Sequence, residues 1–322
     1  AHASNLSLRQ NCMALLFMCD GEAPEPWRAS LCDEIPDLDF RIWPDNLGNV
    51  DEIDIALAWQ PPRGALATFS NLKFILSLGA GVEHILCDPE LPKSVRIARL
   101  IEPGLRTGMV EFVTMEELRY HRRADEYRFQ QYDRKWKLLP QTLSQDRRVG
   151  ILGLGYLGAA CGDMLRRFGF SVSGWARSAK TLPGIDSFHG EDGLFSLLEQ
   201  SDILICLLPL TSETEDILDA TTLGALPRGA VLINVARGKH LVDDDLINAL
   251  DSGQLSAATL DVFREEPLPF EHPFWMHPKI SLFPHAAAWT LPESASPVIA
   301  DNIRRCRAGE KLIGEIEVKR GY

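Results

Sequence analysis

Arg148-Val149-Gly150-Ile151-Leu152-Gly153-Leu154-Gly155-Tyr156-Leu157-Gly158 is the stretch on which the reading of the fold turns. Residues 148–152 form a short apolar run bounded by glycine, the pattern of a buried strand. Leu157, Cys161, Met164, Leu165 and Phe168 then recur at helical spacing and share one face. A G-x-G-x-x-G alone is a weak signal, but between a strand and a helix it acquires a mechanism. Gly153 permits the tight turn, Gly155 lets the backbone approach a pyrophosphate, and Gly158 lets helix and strand pack closely. The pyrophosphate then rests on the helix N-terminus at Tyr156 and Leu157, where unpaired N–H groups and the helix dipole favour an anion.

Outward from this unit, short apolar runs alternate with amphipathic helical stretches. Downstream strand candidates are 170–175, 203–208, 230–234, 257–260 and 280–283; upstream they are 13–18, 40–43, 55–59 and 74–78. Several are unbroken apolar runs, as expected of parallel strands covered on both faces. Trp27, Leu31 and Ile35 lie on one face of a helix between the first two upstream strands. The alternation predicts an α/β fold of two doubly wound parallel-sheet domains. Residues 104–139 read as helical and charged, with Met109, Phe112, Val113, Met115 and Leu118 as the apolar face. Beyond His285 the chain reads as a helix over about 293–308.

The bulk numbers agree. At 322 residues the chain is long for one core, given about 150 residues per domain. Hydrophobic residues at 45% and charged residues at 24% argue against disorder. A net charge of -12 disfavours nucleic acid, which needs clustered Lys and Arg, yet allows a local basic pocket for an anion. The seven cysteines are odd in number, lack a C-x-x-C and sit mostly in apolar runs. They read as reduced buried thiols in a cytoplasmic setting. No apolar run approaches the roughly 20 residues that span a bilayer, so a membrane is not an expected partner. No Cys/His/Asp cluster has metal spacing, so no metal is expected. Residues 1–10 lack a starting Met and a signal-peptide core, and read as a remnant or a frayed end.

The second strand of the dinucleotide unit ends Gly174-Trp175-Ala176-Arg177-Ser178-Ala179-Lys180. An NAD-selective site would place Asp or Glu here to bond the ribose hydroxyls. Ala176 holds that position instead, with Arg177, Ser178 and Lys180 close behind. A guanidinium binds a 2′-phosphate that a carboxylate would repel, so NADP(H) is preferred and NAD(H) stays open.

Three further stretches follow at predicted strand ends, the edge where open α/β sheets bind ligands. They are Asn234-Val235-Ala236-Arg237-Gly238, Asp261-Val262-Phe263-Arg264-Glu265-Glu266-Pro267, and Phe283-Pro284-His285-Ala286-Ala287-Ala288-Trp289-Thr290. Hydride delivery to a keto carbon leaves an alkoxide, so a proton donor must stand at the oxygen. Histidine donates near neutral pH, a neighbouring carboxylate favours its charged form, and arginine offers a planar fork to a carboxylate.

In type, order and spacing these motifs resemble the D-2-hydroxyacid dehydrogenase family over nearly the whole chain. The resemblance implies a flavodoxin-like substrate domain over 11–103 and 291–322, and a Rossmann cofactor domain over 104–290. It implies that Arg237 binds the substrate carboxylate and keto oxygen, that Glu266 partners the histidine, and that His285 is the acid/base. It implies cofactor contacts from Leu208, Pro209, Thr214, Val235, Ala236, Arg237, Asp261 and His285. The backbone of Leu78-Gly79-Ala80-Gly81 is implied to grip the substrate carboxylate, with Trp59 and Trp289 as pocket walls. Ala58-Trp59-Gln60-Pro61-Pro62, Leu78 to Val82, Trp175 to Ser178, Met109 to Glu111 and Arg320-Gly321-Tyr322 are most similar to the A-type glyoxylate/hydroxypyruvate reductases. That subgroup implies reduction of small 2-keto acids by a homodimer formed through residues 104–139. Competing readings are a non-catalytic nucleotide-sensing binding protein and a dehydrogenase for a different 2-hydroxy acid. Relatives that act on formate carry Gln where this chain has Glu266. His240 reads as a surface residue, His84 as a helix start, and His121, His189, His272 and His277 show no partner pattern.

Overall fold

The computed structural model describes residues 14–19 and 21–318, so Met13, residues 1–10 and Arg320 to Tyr322 lie outside the described residues. The chain divides into two units, Ala1–Leu105 with Thr290–Tyr322, and Arg106–Trp289.

In the first unit, β1 (Ala14–Cys19), β2 (Asp39–Ile42), β3 (Ile53–Trp59), β4 (Phe74–Ser77) and β5 (Arg96–Ala98) build, among the described residues, a parallel sheet in the order β2-β1-β3-β4-β5. This is the flavodoxin-like order. The strands show why their sequences are apolar throughout. Leu15 and Phe17 pack with Trp27 and Leu31 of α1 (Pro24–Glu34) and with Ile299 and Ile303 of the C-terminal helix Pro292–Ala308. Ala14, Leu16 and Met18 face the opposite cluster, with Leu66 and Phe69. A period of two with both faces covered turns every residue inward to some neighbour. Ile35 does not extend the α1 stripe; it caps the helix through its N–H to the Leu31 carbonyl. A short helix, α2 (Glu83–Leu86), follows β4, and β5 is a three-residue edge too short to carry a periodic signal.

The second unit opens with α3 (Pro103–His121, counted from its first turn) and α4 (Ala124–Tyr132). The segment 104–139, expected to be helical, holds these two helices and ends in residues 133–139, which are not helical. Arg123 adopts a left-handed φ of 57° and donates its N–H to the Tyr120 carbonyl, ending α3; Arg134 at φ 54° follows the end of α4. The apolar face is corrected at one position. Met109, Phe112 and Val113 are buried, but Met115 is exposed and Glu116 is buried in its stead. The i, i+3, i+4, i+7 stripe runs through Glu116, which accepts from Thr259 Oγ1 at 2.5 Å and Arg119 Nη1 at 2.9 Å.

The sheet of this unit follows: β6 (Arg148–Leu152), α5 (Tyr156–Arg167), β7 (Ser171–Ala176), β8 (Asp186–His189), α6 (Gly190–Leu198), β9 (Ile203–Cys206), α7 (Ala220–Ala225), β10 (Ala230–Asn234), α8 (Asp243–Asp251), β11 (Leu255–Leu260) and β12 (Ile280–Leu282). Among the described residues the order is β12-β11-β10-β9-β6-β7-β8, parallel throughout. Counted from β6 this is the Rossmann order with a seventh strand added, and it reverses between β6 and β9. β8 escaped sequence reading because Asp186-Ser187-Phe188-His189 is a polar, half-exposed edge. Phe168, expected on the buried face of α5, caps that helix and is 47% exposed.

Candidate active site

The glycine turn occupies the crevice where the strand order reverses. Gly153 has φ 103°, and a Cβ there would stand 2.7 Å from the Leu207 carbonyl oxygen just past β9. A Cβ on Gly158 would stand 1.8 Å from the Gly153 carbonyl oxygen, so helix and turn touch directly. Gly155 differs: at φ -84° it caps α5, and an added Cβ would meet nothing within 4 Å. The fold needs glycine at 153 and 158, whereas at 155 it leaves open space beside helix N–H groups that no capping side chain engages. That is the cradle a pyrophosphate requires. Tyr156 opens the helix with its ring 5.9 Å from the Arg106 guanidinium, and Leu157 is partly buried behind it.

At the end of β7 Ala176 is buried, while Arg177, Ser178 and Lys180 are exposed. Arg177 Nη1 lies 3.4 Å from Glu213 Oε2, an acid that sequence reading had not connected to this corner. After β9, Leu208 is buried and the next turn is closed by Thr214, whose Oγ1 accepts from Thr211 N–H at 2.9 Å and donates to the Pro209 carbonyl at 2.7 Å.

The parallel strands deliver the remaining residues to the same sheet edge. β10 ends at Asn234, whose side chain accepts the Ala236 N–H and donates to the Arg237 carbonyl, shaping the turn over buried Val235 and Ala236. Arg237 Nη1 donates to the Ala236 carbonyl at 2.6 Å. Just past β11, the buried Asp261 accepts from Ala286 N–H at 2.7 Å and Ala287 N–H at 3.0 Å, and its carbonyl accepts the His285 N–H at 2.8 Å. These bonds hold His285 at φ 55°, a conformation uncommon outside glycine. Burial pushes the Asp261 carboxyl up, against the lowering pull of the Ala286 and Ala287 N–H groups.

Glu266 completes the group. Its Oε1 accepts the Phe263 N–H at 2.9 Å and its Oε2 meets His285 Nδ1 at 2.8 Å. Burial raises the Glu266 carboxyl, but the bonds from His285 and Phe263, with the charges of His285 and Arg237, outweigh it and hold it below its ordinary value. It therefore stays an ionised acceptor at neutral pH.

Within the other unit, Trp59 ends β3 and its ring covers Gly79, where a Cβ would lie 2.6 Å from Cζ3. Ser77 Oγ donates to the Gly81 carbonyl at 2.6 Å and accepts the Gly79 N–H at 3.3 Å. Leu78 is buried, with its carbonyl accepting from Thr290 Oγ1. Among the described residues, the N–H groups of Ala80 and Gly81 donate to no protein acceptor. Trp289 is 57% exposed.

The family model of the D-isomer specific 2-hydroxyacid dehydrogenase NAD binding domain matches residues 115–287. A glyoxylate/hydroxypyruvate reductase A from Yersinia enterocolitica is 42% identical over 316 residues, covering 96% of this chain and 100% of that protein. The chain belongs to the D-isomer specific 2-hydroxyacid dehydrogenase family. Among solved structures, a member of this family from Xanthobacter autotrophicus in complex with NADPH and MES matches with a TM-score of 0.93 at 40% identity, covering 96% of this chain and 99% of that one. An NADPH-dependent glyoxylate/hydroxypyruvate reductase from Sinorhizobium meliloti, with NADP and sulfate, matches with a TM-score of 0.90 at 32% identity, covering 96% and 100%.

Several histidines of this dehydrogenase stand otherwise than expected. His240 is not a surface residue: it is fully buried and bonded to Arg237 and Pro209. His272 and His277 have acid partners, Asp243 at 3.4 Å and Asp251 at 3.5 Å. His121 is buried against the Phe170 ring. Among the described residues, no group of three His, Cys, Asp or Glu is arranged for a metal, and no helix is long and apolar enough to cross a membrane. The described cysteines are free thiols; burial pushes Cys161 and Cys206 up to about 12, which keeps them protonated and inert.

Proposed function

We propose that this dehydrogenase reduces small 2-keto acids with NADPH, glyoxylate to glycolate and hydroxypyruvate to D-glycerate. The observation that carries the reading is the 2.8 Å contact between Glu266 and His285 on the sheet edge that also presents Arg237 and the glycine turn. The relatives named above, and NADPH or NADP in two of them, support the same substrates and cofactor.

The bound nicotinamide supplies the hydride. Gly153, Gly155, Tyr156, Leu157 and Gly158 would hold the pyrophosphate, and Arg177, Ser178 and Lys180 the 2′-phosphate, with Ala176 leaving no competing carboxylate. Leu208, Pro209, Thr214, Val235, Ala236 and Asp261 would line the remainder. Arg237 binds the substrate carboxylate and keto oxygen. His285, with Nδ1 committed to Glu266, gives the proton from Nε2 to the developing alkoxide. Ala80 and Gly81, with Leu78 and Gly79, offer backbone dipoles to the substrate carboxylate; Trp59 and Trp289 are proposed to limit substrate size. The test is the rate of NADPH and NADH oxidation across 2-keto acids of increasing size. Rapid turnover of glyoxylate and hydroxypyruvate with NADPH is expected; no turnover of any keto acid would leave a nucleotide-sensing binding protein.

A homodimer formed through residues 104–139 belongs to the same reading. Phe129, Tyr132, Trp136 and Leu138 there are exposed, an apolar surface that a second copy would cover. Sedimentation at micromolar concentration tests it, a monomer being the refuting result. A reducing, cytoplasmic setting fits the unpaired thiols.

A further inference from the structure

The structure assigns to His240 a positioning role for Arg237, an inference that rests on the reading of Arg237 as the substrate-binding arginine. The His240 imidazole is fully buried, and a polar ring at that depth is retained at low cost only when its nitrogens are bonded. Nε2 lies 3.3 Å from the Pro209 carbonyl oxygen, an acceptor. Nδ1 lies 3.2 Å from the Arg237 backbone nitrogen, whose N–H it accepts when the ring proton is on Nε2, and 3.1 Å from the Arg237 carbonyl oxygen. The ring acts as a strut between the loop after β9 and the first residue past the β10 turn.

The backbone doubles that link. His240 N–H donates to the Arg237 carbonyl at 3.2 Å, and the His240 carbonyl accepts the Leu218 N–H at 2.8 Å. On its other side the Arg237-Gly238 turn is pressed against the loop that carries Glu266. A Cβ on Gly238 would stand 1.8 Å from the Phe263 carbonyl carbon, and Phe263 is the residue whose N–H Glu266 holds. The position from which the Arg237 side chain departs is thus fixed between an imidazole and the Phe263–Arg264 backbone. Pro209, on the far side of the imidazole, also accepts from Thr214 Oγ1, so the strut joins the arginine to the proposed cofactor loop.

The experiment compares His240→Phe, which keeps the ring volume and removes both nitrogens, with His240→Asn, whose side-chain oxygen can replace Nδ1 as acceptor. Arg237→Ala is the reference, with glyoxylate and NADPH varied separately and Tm measured for each variant. Loss of one buried bond at a positioned group predicts a KM for glyoxylate on the order of tenfold higher in His240→Phe, with the KM for NADPH changed by less than about threefold. His240→Asn should recover most of the glyoxylate KM although its Tm stays lowered by the smaller side chain. A purely structural histidine would instead give losses that follow Tm and fall equally on both KM values, and that result overturns the inference. An unchanged glyoxylate KM in Arg237→Ala would remove the underlying reading; a raised one there with wild-type kinetics in His240→Phe would remove the positioning role alone.

Discussion

Glu266 divides its carboxylate between the Phe263 N–H and His285 Nδ1, so the group that orients the imidazole also fixes its own loop. Glu266→Gln separates the two tasks. The amide oxygen can keep the Phe263 bond, but its NH2 then faces Nδ1 and can bond it only as a donor. The orientation that the Glu266 carboxylate gives the ring is weakened, and kcat for keto-acid reduction should fall about 10–100-fold, against roughly 100–10,000-fold for His285→Ala. NADPH binding, followed by its fluorescence, should change little in either variant. Substantial turnover retained by His285→Ala would end the proposed acid/base role.

The two kinds of glycine in the turn give opposite signatures. Gly155→Ala places a methyl in open space at an ordinary φ, so Tm should move by no more than about 2 °C. The same methyl stands where the pyrophosphate must approach, and NADPH affinity should fall at least about tenfold. In Gly158→Ala the methyl meets the Gly153 carbonyl, and stability itself should drop. Calorimetry with and without NADPH reads both; wild-type affinity in Gly155→Ala would show that the cradle lies elsewhere.

Arg177 follows Ala176, which stands where an NAD-selective site would carry the ribose-binding acid, and its neighbour Glu213 supplies a competing carboxylate at 3.4 Å. Arg177→Asp should lower the NADPH-to-NADH ratio of kcat/KM by about 10–100-fold, the worth of a charge-assisted bond to phosphate. Glu213→Gln should shift the ratio modestly toward NADPH. If Arg177→Asp leaves the ratio alone, the phosphate contact is misassigned.

What the sequence revealed follows the range of the forces involved. The strand, glycine turn and helix over 148–167 are local, and spacing alone carried them. The placing of Arg237, Glu266 and His285 along one sheet edge was legible because parallel strands bring their ends to one edge, which makes order along the chain a guide to proximity. Pairings between distant segments were not legible. Glu116 replaces Met115 on the buried face because Thr259, far along the chain on β11, meets it. His240 looked superficial because its partner Pro209 lies 31 residues earlier. Asp261 was expected only as a cofactor contact, while its carboxylate also binds the Ala286 and Ala287 N–H groups behind His285.

Glu117 poses the last test, away from the proposed chemistry. It is fully buried on α3, both carboxyl oxygens lack a hydrogen-bond partner among the described residues, and Arg147 Nε is likewise unsatisfied. Burial pushes its pKa from 4.5 up to about 8; the Arg147 charge works against that rise and the Asp202 charge adds to it. The folded state therefore holds this proton more tightly than the unfolded chain. The resulting stability is complete below the unfolded value and is lost as pH rises through the folded one. Across that window the wild-type protein should lose up to roughly 1.4 kcal/mol per pH unit from this group. Glu117→Gln cannot ionise, so its Tm should match wild type near pH 5 and exceed it near pH 8 by on the order of 5 °C. Thermal unfolding of both proteins at the two pH values measures this. An equal Tm difference at both would mean that Glu117 does not change its protonation between them.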